Sequence, residues 1–216
     1  RSLGMAPYFV GQGVPLYCDD ALDVLLTLRG NSVDLIVTDP PYVIGAVSAY
    51  SMDGKSGGWG DMMNSARWFR DWYVMAKRLL KQTGALWTFC NWRSFPVIMR
   101  AAIDADWPVT SLLVWDKEWI GPGGHQGLRP SYELVALLAM PDFAIPDRGL
   151  PDIWREKWAS FKPNGHPAEK PVSLIKRLIL NSNVPADGLV LDPFAGSGPT
   201  AEAARQEVTG PVKILN

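Results

Sequence analysis

The stretch "DLIVTDPPYVIG", residues 34–45, decides the fold. Its first half is apolar and β-branched, which is typical of a central strand. Pro40 and Pro41 cannot continue a hydrogen-bonded ladder, because proline lacks the backbone N–H and has a fixed φ. The strand is therefore expected to end at Asp39, with Tyr42 beyond its carboxyl end. In open α/β sheets this edge is where ligands bind.

Strand-like and helix-like segments alternate along the rest of the chain. The other predicted strands are "VPLYCDD", "ALWTFCN", "VTSLLVWD", "YELVALLAM" and "GLVLD", and the predicted helices are "ALDVLLTLRG", "ARWFRDWYVMAKRLLKQTG", "SFPVIMRAAIDA", "EKPVSLIKRLILNSN" and the segment after residue 198. This alternation predicts an α/β fold with a doubly wound, mostly parallel sheet, in a single domain over residues 1–216. Residues 43–66, 117–130 and 141–165 lack periodicity and are predicted loops.

Composition narrows the class of protein. The chain has 216 residues, of which 47% are hydrophobic and 20% charged, as in a globular domain. No apolar run is long enough to span a bilayer, and the N-terminus lacks the pattern of a secretion signal, so we expect no membrane partner and a cytoplasmic location. The two cysteines and two histidines form no metal-binding pattern. A net charge of −1 argues against a general nucleic-acid coat but permits a local basic cleft.

A second stretch, "LVLDPFAGSGPT" at residues 189–200, repeats the pattern of the first. An apolar strand ends in Asp192, and glycines then form a turn into a helix. Gly196 and Gly198 would let the backbone approach a ligand closely, and a helix N-terminus favours negative charge. A bare G-x-G is equally consistent with a plain strand-to-helix turn.

Three motifs occur together: D-P-P-Y (39–42), "HPAEKP" (166–171) and D-P-F-A-G-S-G (192–198). This combination resembles the S-adenosylmethionine-dependent amino-methyltransferases of DNA. The D-P-P-Y motif precedes the glycine motif, a permuted order that resembles the β class of these enzymes. The resemblance covers roughly residues 16–204. It implies a Rossmann-like methyltransferase fold with a seven-stranded type of sheet, S-adenosyl-L-methionine as cofactor, and double-stranded DNA as partner.

The resemblance implies that Asp39, Pro40, Pro41 and Tyr42 are the catalytic residues. An exocyclic amine of a base is a poor nucleophile, because its lone pair is delocalised into the ring. The carboxylate of Asp39 and the backbone carbonyl of Pro40 would each accept one amine hydrogen and direct the lone pair towards the methyl group. Tyr42 would offer a flat face to a base rotated out of the duplex.

The resemblance also assigns residues to the cofactor. They are Asp20, Ala21, His166, Lys170, Asp192, Pro193, Phe194, Ala195, Gly196, Ser197, Gly198 and Thr200. Asp20 and the backbone of Ala21 would bind the adenine, although Asp20 also suits a helix N-cap. Lys170 would meet the cofactor carboxylate, with a solvated lysine at a helix start as the alternative. For His166 the alternative is a structural hydrogen bond.

Basic and aromatic residues of the predicted loops are hypothesised to contact DNA. They are Lys55, Arg67, Arg70, Lys117, Arg129, Arg148, Arg155, Lys157 and Lys162, with Trp59, Trp119 and Trp154 as wedges or stacking surfaces. Taken singly, each of them fits an ordinary surface or packing role better. A homodimer would help a chain this small to grip a duplex, but the sequence leaves the oligomeric state open.

The D-P-P-Y motif resembles adenine-N6 enzymes more than cytosine-N4 enzymes, which more often begin the motif with Ser. Three alternatives stay open: a cytosine-N4 enzyme, an RNA or protein amine methyltransferase, and a catalytically weak relative that binds DNA. The chain departs from the family pattern in three places. "TGPVKILN" shows no acid for the cofactor ribose, Pro199 stands where a second Thr is common, and the segment that reads the target sequence is short.

Overall fold

The computed structural model describes residues 8–11, 14–41, 59–121, 126–158, 169–207 and 212–215. The strands in these ranges are β1 (Phe9–Gly11), β2 (Val14–Tyr17), β3 (Val33–Thr38), β4 (Leu80–Cys90), β5 (Ser111–Asp116), β6 (Tyr132–Ala139), β7 (Ile153–Arg155), β8 (Val190–Asp192) and β9 (Val212–Leu215). The helices are α1 (Ala21–Thr27), α2 (Trp59–Leu79), α3 (Phe95–Asp104), α4 (Val172–Leu180) and α5 (Pro199–Glu207). No helix of this described part is long and apolar enough to cross a bilayer.

The described strands form one sheet in the order β1-β2-β9-β8-β3-β4-β6-β5-β7. At its centre, Leu35 of β3 lies beside Val190 of β8 and Ala85 of β4, and both pairings are parallel. Strand β6 is antiparallel to β4 and β5, and β1 is antiparallel to β2. The remaining neighbours are parallel. The doubly wound, mostly parallel sheet is therefore confirmed, with seven strands between the short edge strands β1 and β7.

Both faces of the sheet are buried, because side chains of the central strands alternate between two apolar clusters. In β3, Ile36 packs with α1, α2 and α3, whereas Leu35 and Val37 pack with α4 and α5. Trp72 is fully buried on the first face and Trp115 on the second. Each large apolar side chain removed from water stabilises the fold by about 1.5–3 kcal/mol. The continuous apolar run of β3 follows from this double burial.

Helix α2 and strand β4 meet earlier in the chain than the sequence pattern predicts. The pattern predicts a loop up to residue 66 and a helix over 66–84, but α2 begins at Trp59 and β4 begins at Leu80. Leu80 pairs with Val33, and Nζ of Lys81 lies 2.8 Å from each carboxylate oxygen of Asp34. Pairing with β3 thus overrides the helical propensity of this segment.

Besides β1, which the sequence did not predict, two short strands lie where the sequence shows no strand pattern. Strand β7 lies within the segment 141–165 that was predicted to be irregular, and it pairs with β5 through Trp154 beside Trp115. Strand β9 follows the glycine helix and lies between β2 and β8. Both strands depend on neighbours that are distant in sequence, so a local pattern cannot reveal them.

Gly84 lies inside β4, where no side chain fits. A Cβ atom there would lie 2.8 Å from the backbone oxygen of Asp34, 3.0 Å from Cδ2 of Leu80 and 3.1 Å from the backbone oxygen of Lys81. We expect Gly84→Ala to lower the free energy of unfolding by about 2 kcal/mol, because backbone atoms must shift. Urea unfolding measures this change. The control is Gly127→Ala, whose Cβ meets no atom of the described residues within 4 Å; equal stability of the two variants would contradict the prediction.

Candidate active site

The carboxyl ends of β3 and β8 meet at the centre of the sheet. Strand β3 ends at Thr38, directly before Asp39, and β8 ends at Asp192. The chain crosses from β3 to β4 on one side, and from β8 to β9 on the other side. The two strands therefore flank the point where the winding reverses, which is the ligand-binding crevice of doubly wound sheets.

Asp192 connects this junction to the turn that follows. Its Oδ1 accepts a hydrogen bond of 2.6 Å from the hydroxyl of Thr38 and one of 3.0 Å from the backbone N–H of Phe194. Burial raises the pKa of Asp192 to about 6, although hydrogen bonds from Thr38, Thr200 and Phe194 oppose the rise. The buried carboxyl group thus holds both strand ends and the turn in one arrangement.

The raised pKa of Asp192 predicts a pH dependence of stability. The folded value of about 6 lies above the ordinary value of 3.8, so the folded state binds more protons than the unfolded state between these values. Stability should therefore fall as pH rises from about 4 to about 6, by about 3 kcal/mol for the full shift. Asp192→Asn keeps an oxygen acceptor for Thr38 and Phe194 and should remove this fall. Urea unfolding of both proteins between pH 4 and 7 isolates the effect; parallel curves would refute it.

Residues 193–198 form a tight turn from β8 into α5. Gly196 has φ of 52° and Gly198 has φ of 87°, in the left-handed region that glycine adopts without strain. A Cβ at either position would meet no atom within 4 Å in the part of the chain that the structure describes. The turn therefore faces open space, as a turn that receives a ligand against its backbone must.

Two cavities flank this glycine turn. The large cavity, of about 380 Å³, is lined by residues 19–22 and by Trp68 of α2, together with Phe194 and Gly196. The small cavity, of about 130 Å³, lies beside Asp39 and is also lined by Phe194 and Gly196. Because they share these two residues, the cavities are neighbours across the turn.

Asp20 lies at the large cavity and caps helix α1. Its Oδ1 accepts hydrogen bonds from the backbone N–H groups of Leu22 at 2.9 Å and Asp23 at 3.4 Å. The N-cap alternative for Asp20 is therefore observed. Asp20 and Ala21 both line the cavity, and their contact with the adenine of a cofactor stays a prediction.

Four charged side chains of alternating sign, which we call the charge cluster, connect Asp39 to the β5–β6 hairpin. Nζ of Lys170 lies 2.6 Å from Oδ2 of Asp39 and 3.2 Å from Oε2 of Glu133. Nζ of Lys117 lies 2.5 Å from Oε1 of Glu133. Lys170 precedes α4, Glu133 belongs to β6, and Lys117 follows β5. The cluster therefore joins three separate parts of the fold.

The charge cluster is largely buried, and two of its members, Lys170 and Glu133, hold each other in the ionised form. The side chains of Lys170, Lys117 and Glu133 are 6%, 14% and 18% exposed. Burial alone would lower the pKa of Lys170, but the carboxylates of Asp39 and Glu133 raise it overall. Burial alone would raise the pKa of Glu133, but Lys170 and Lys117 lower it. Lys170 and Glu133 therefore both carry their charges at neutral pH.

Only one oxygen of the Asp39 carboxylate is held by the charge cluster. Oδ2 accepts from Lys170, whereas Oδ1 is buried and accepts no hydrogen bond within the described ranges of the chain. A buried acceptor without a donor is costly. Oδ1 is therefore suited to accept a hydrogen bond from a ligand in the small cavity.

Most of the predicted site residues come together at this edge. Those that line the small cavity are Asp39, Lys170, Asp192, Phe194, Ala195, Gly196, Ser197 and Thr200, while Asp20, Ala21 and Pro193 line the large one. Pro40 is buried and Pro41 exposed directly after β3, and Gly198 closes the turn. Tyr42 and His166 lie outside the described residues, and their roles stay predictions.

Two residues at the site, Trp68 and Glu133, were not predicted from the sequence. Trp68 lies in an amphipathic helix, where nothing in the pattern separates a cavity-lining tryptophan from a core one. Glu133 did leave a signal, because it is the only charged residue in the apolar strand "YELVALLAM". A buried acid in such a strand requires a partner, and Lys170 and Lys117 are its partners.

Two of the residues hypothesised to contact DNA are engaged within the fold. Trp154 is 3% exposed, with the guanidinium of Arg177 over its ring at 4.1 Å, so it cannot stack on a base. Lys117 pairs with Glu133 in the charge cluster, and its side chain is only 14% exposed. Trp119 is 37% exposed and packs against Trp158, with 4.6 Å between the centroids of the two rings. Lys55 and Lys162 lie outside the described residues, as does the side chain of Trp59.

Comparison of the sequence with known proteins finds related chains. The protein YubD of Escherichia coli (strain K12) is 34% identical over 187 residues, which cover 87% of this chain and 78% of that protein. The type II methyltransferase M2.MboI of Moraxella bovis is 26% identical over 91% of this chain and 81% of its own. The DNA adenine methyltransferase YhdJ of Escherichia coli (strain K12) is 27% identical over 86% of this chain and 72% of its own.

Solved structures share the fold. The PvuII DNA methyltransferase, which is cytosine-N4-specific, superposes with a TM-score of 0.79 at 16% identity, covering 99% of this chain and 86% of its own. The complex of M1.HpyAVI with S-adenosylmethionine has a TM-score of 0.67 at 19% identity and covers 94% of this chain and 93% of its own. The Rossmann-like methyltransferase fold is therefore confirmed.

The family described as DNA methylase matches residues 33–208. This match begins at β3, includes Asp39 and the charge cluster, and ends just after α5. It spans more than half of the chain, so the chain belongs to the family of S-adenosylmethionine-dependent DNA amino-methyltransferases that its three motifs predicted.

Proposed function

We propose that this enzyme transfers a methyl group to the N6 amine of adenine in double-stranded DNA. The observation that carries the proposal is the Asp39 carboxylate of D-P-P-Y, whose buried Oδ1 lies at the small cavity and has no donor among the described residues. The relative YhdJ, a DNA adenine methyltransferase by name, supports adenine as the base.

The residues around the two cavities fit S-adenosylmethionine. The large cavity is open between Asp20 and Trp68 and has room for an adenine ring. The glycine turn presents backbone instead of side chains to the space between the cavities. Phe194, shared by both cavities, offers an apolar ring at their junction. When bound, this cofactor supplies an electrophilic methyl group on a sulfonium.

The chain's own residues prepare the amine for attack. Oδ1 of Asp39 would accept one amine hydrogen, and the carbonyl of Pro40, which is held by the fixed φ of the proline, would accept the other. Two fixed acceptors orient the nitrogen and direct its lone pair along one line. This is catalysis by positioning and preorganised charge, for which Asp39 need not remove a proton before the methyl group moves. The methylated nitrogen then gives up one proton, for which the Asp39 carboxylate is the adjacent acceptor.

The face that receives DNA is proposed to be the carboxyl edge of the sheet. The β5–β6 hairpin lies on this edge, since Asp116 pairs with Tyr132 and Cys90 with Leu134. Trp92 lies two residues after the end of β4 at the same edge and is 59% exposed, and the guanidinium of Arg93 lies 5.2 Å from the centroid of its ring. An exposed ring with an adjacent cation suits contact with bases and phosphates.

The single domain, the homodimer and the cytoplasmic location stay predictions.

The deciding experiment incubates the protein with labelled S-adenosylmethionine and unmethylated genomic DNA, followed by mass spectrometry of the nucleosides. The expected product is N6-methyldeoxyadenosine. N4-methyldeoxycytidine would overturn adenine as the base, which is the outcome to watch because the PvuII enzyme of similar fold is cytosine-N4-specific. Cofactor binding without any labelled deoxynucleoside would overturn DNA as the substrate.

A further inference from the structure

The ammonium group of Lys170 contacts the carboxylate of Asp39 in this structure. The family resemblance alone had assigned Lys170 to the carboxylate of the cofactor. We infer that Lys170 is a positioning residue that orients the Asp39 carboxylate towards the amine of the target base; this inference rests on the proposed methyl transfer. Lys170 itself is not a reacting group.

The geometry around Lys170 fixes the carboxylate at one oxygen. Its Nζ donates to Oδ2 of Asp39 at 2.6 Å and lies 5.4 Å from the ring centroid of Phe89. A carboxylate held firmly at one oxygen cannot rotate freely, so the direction of its second oxygen is also fixed. That second oxygen, Oδ1, is the buried acceptor without a donor in the described chain.

Glu133 holds the ammonium group of Lys170 from the other side, at 3.2 Å. Lys117 in turn pairs with Glu133, so two positive and two negative charges balance within the charge cluster. The side chain of Lys170 is only 6% exposed, which rules out the solvated lysine that the sequence left open. A buried lysine with two carboxylate partners is instead held in one place.

The test compares Lys170→Met with the double variant Lys170→Met/Glu133→Gln. The single variant leaves the cluster with an excess negative charge, whereas the double variant removes one charge of each sign. Lys81→Met is the matched control, because it deletes a lysine that pairs with a buried acid, Asp34, at the opposite edge of the sheet. The measurements are kcat at saturating cofactor, Kd for S-adenosylmethionine by calorimetry, and stability in urea.

We expect kcat to fall by about 100-fold or more in both Lys170 variants, because an Asp39 carboxylate that is no longer held cannot orient the amine of the target base. The Kd for the cofactor should change by less than about threefold, and kcat of Lys81→Met by less than about twofold. Recovery of the wild-type kcat in the double variant would overturn the inference, since Lys170 would then only balance charge. A Kd raised at least tenfold with unchanged kcat would also overturn it, in favour of the cofactor carboxylate.

A second measurement needs neither cofactor nor DNA. Asp39→Asn and Lys170→Met are made singly and together, and unfolding in urea is measured for each cofactor-free protein. We expect the second substitution to cost much less stability once the first is present, because the pair is already broken. Strictly additive losses would refute the pairing. The kcat values count methyl transfer to any base. Methylation of cytosine by the wild type would therefore refute adenine as the target base and leave the inference about Lys170 unaffected.

Discussion

Asp39→Ala is expected to lower kcat for methyl transfer by about 10³-fold, or about 4 kcal/mol, which is the scale of losing one preorganised group of an active site. The reason is that Oδ1 is the buried acceptor at the small cavity, and alanine leaves the amine with the Pro40 carbonyl alone. Binding of S-adenosylmethionine should change little, because Asp39 lines only the small cavity. Single-turnover kinetics and calorimetry measure the two quantities.

Asp39→Asn and Asp104→Ala are the comparison variants for Asp39→Ala. Asparagine has one oxygen, which the donor Lys170 would hold, so its NH2 group would face the amine and activity should fall about as far as in alanine. Asp104 pairs with Arg100 on the surface of α3, and its replacement should leave kcat unchanged. Wild-type turnover by Asp39→Ala would remove Asp39 from the mechanism.

Gly196→Val is expected to weaken binding of S-adenosylmethionine by about a hundredfold. A β-branched residue at φ of 52° is strained by about 1–2 kcal/mol, which lowers stability with or without the cofactor. Its side chain would also enter the boundary of the two cavities, and overfilling a fitted space costs about 1–3 kcal/mol. Within the described part of the chain no atom lies within 4 Å of the new Cβ, so the crowding falls on the ligand and not on the turn itself.

Gly127→Val provides the comparison. It also has open space around its Cβ, but its backbone lies outside the left-handed region and outside both cavities. Its affinity for the cofactor should equal that of the wild type. Calorimetry without DNA measures both variants, and an unchanged affinity of Gly196→Val would show that the glycine turn does not receive the cofactor.

The parts of the site that were predicted from sequence have local causes. Two prolines end β3 after Asp39, and two glycines permit the left-handed turn after Asp192, whatever the rest of the chain does. Those signals, with the order of the motifs, were sufficient for the fold class and for the edge at which the ligand binds. The three motifs also indicated the family, which the match over residues 33–208 confirms.

The parts that were not predicted depend on contacts between distant segments. Glu133 meets Lys170 because β6 lies beside β4 in the sheet, and no local pattern encodes that order. The end of α2 was misplaced because "KRLLKQ" favours a helix until β3 provides a partner for Leu80. Lys170 was assigned to the cofactor by resemblance, since the pairing with Asp39 joins residues 131 positions apart.

Among the described residues the two cavities share only Phe194 and Gly196, an arrangement that divides the enzyme into parts that protein engineering can treat separately. Trp68 lines the large cavity without lining the small one. If the large cavity holds the adenine as proposed, trimming that ring would enlarge the space for the nucleoside end of a bulkier synthetic cofactor. The acceptor oxygen of Asp39 would keep its surroundings, so the choice of methyl donor and the handling of the target amine can be redesigned independently.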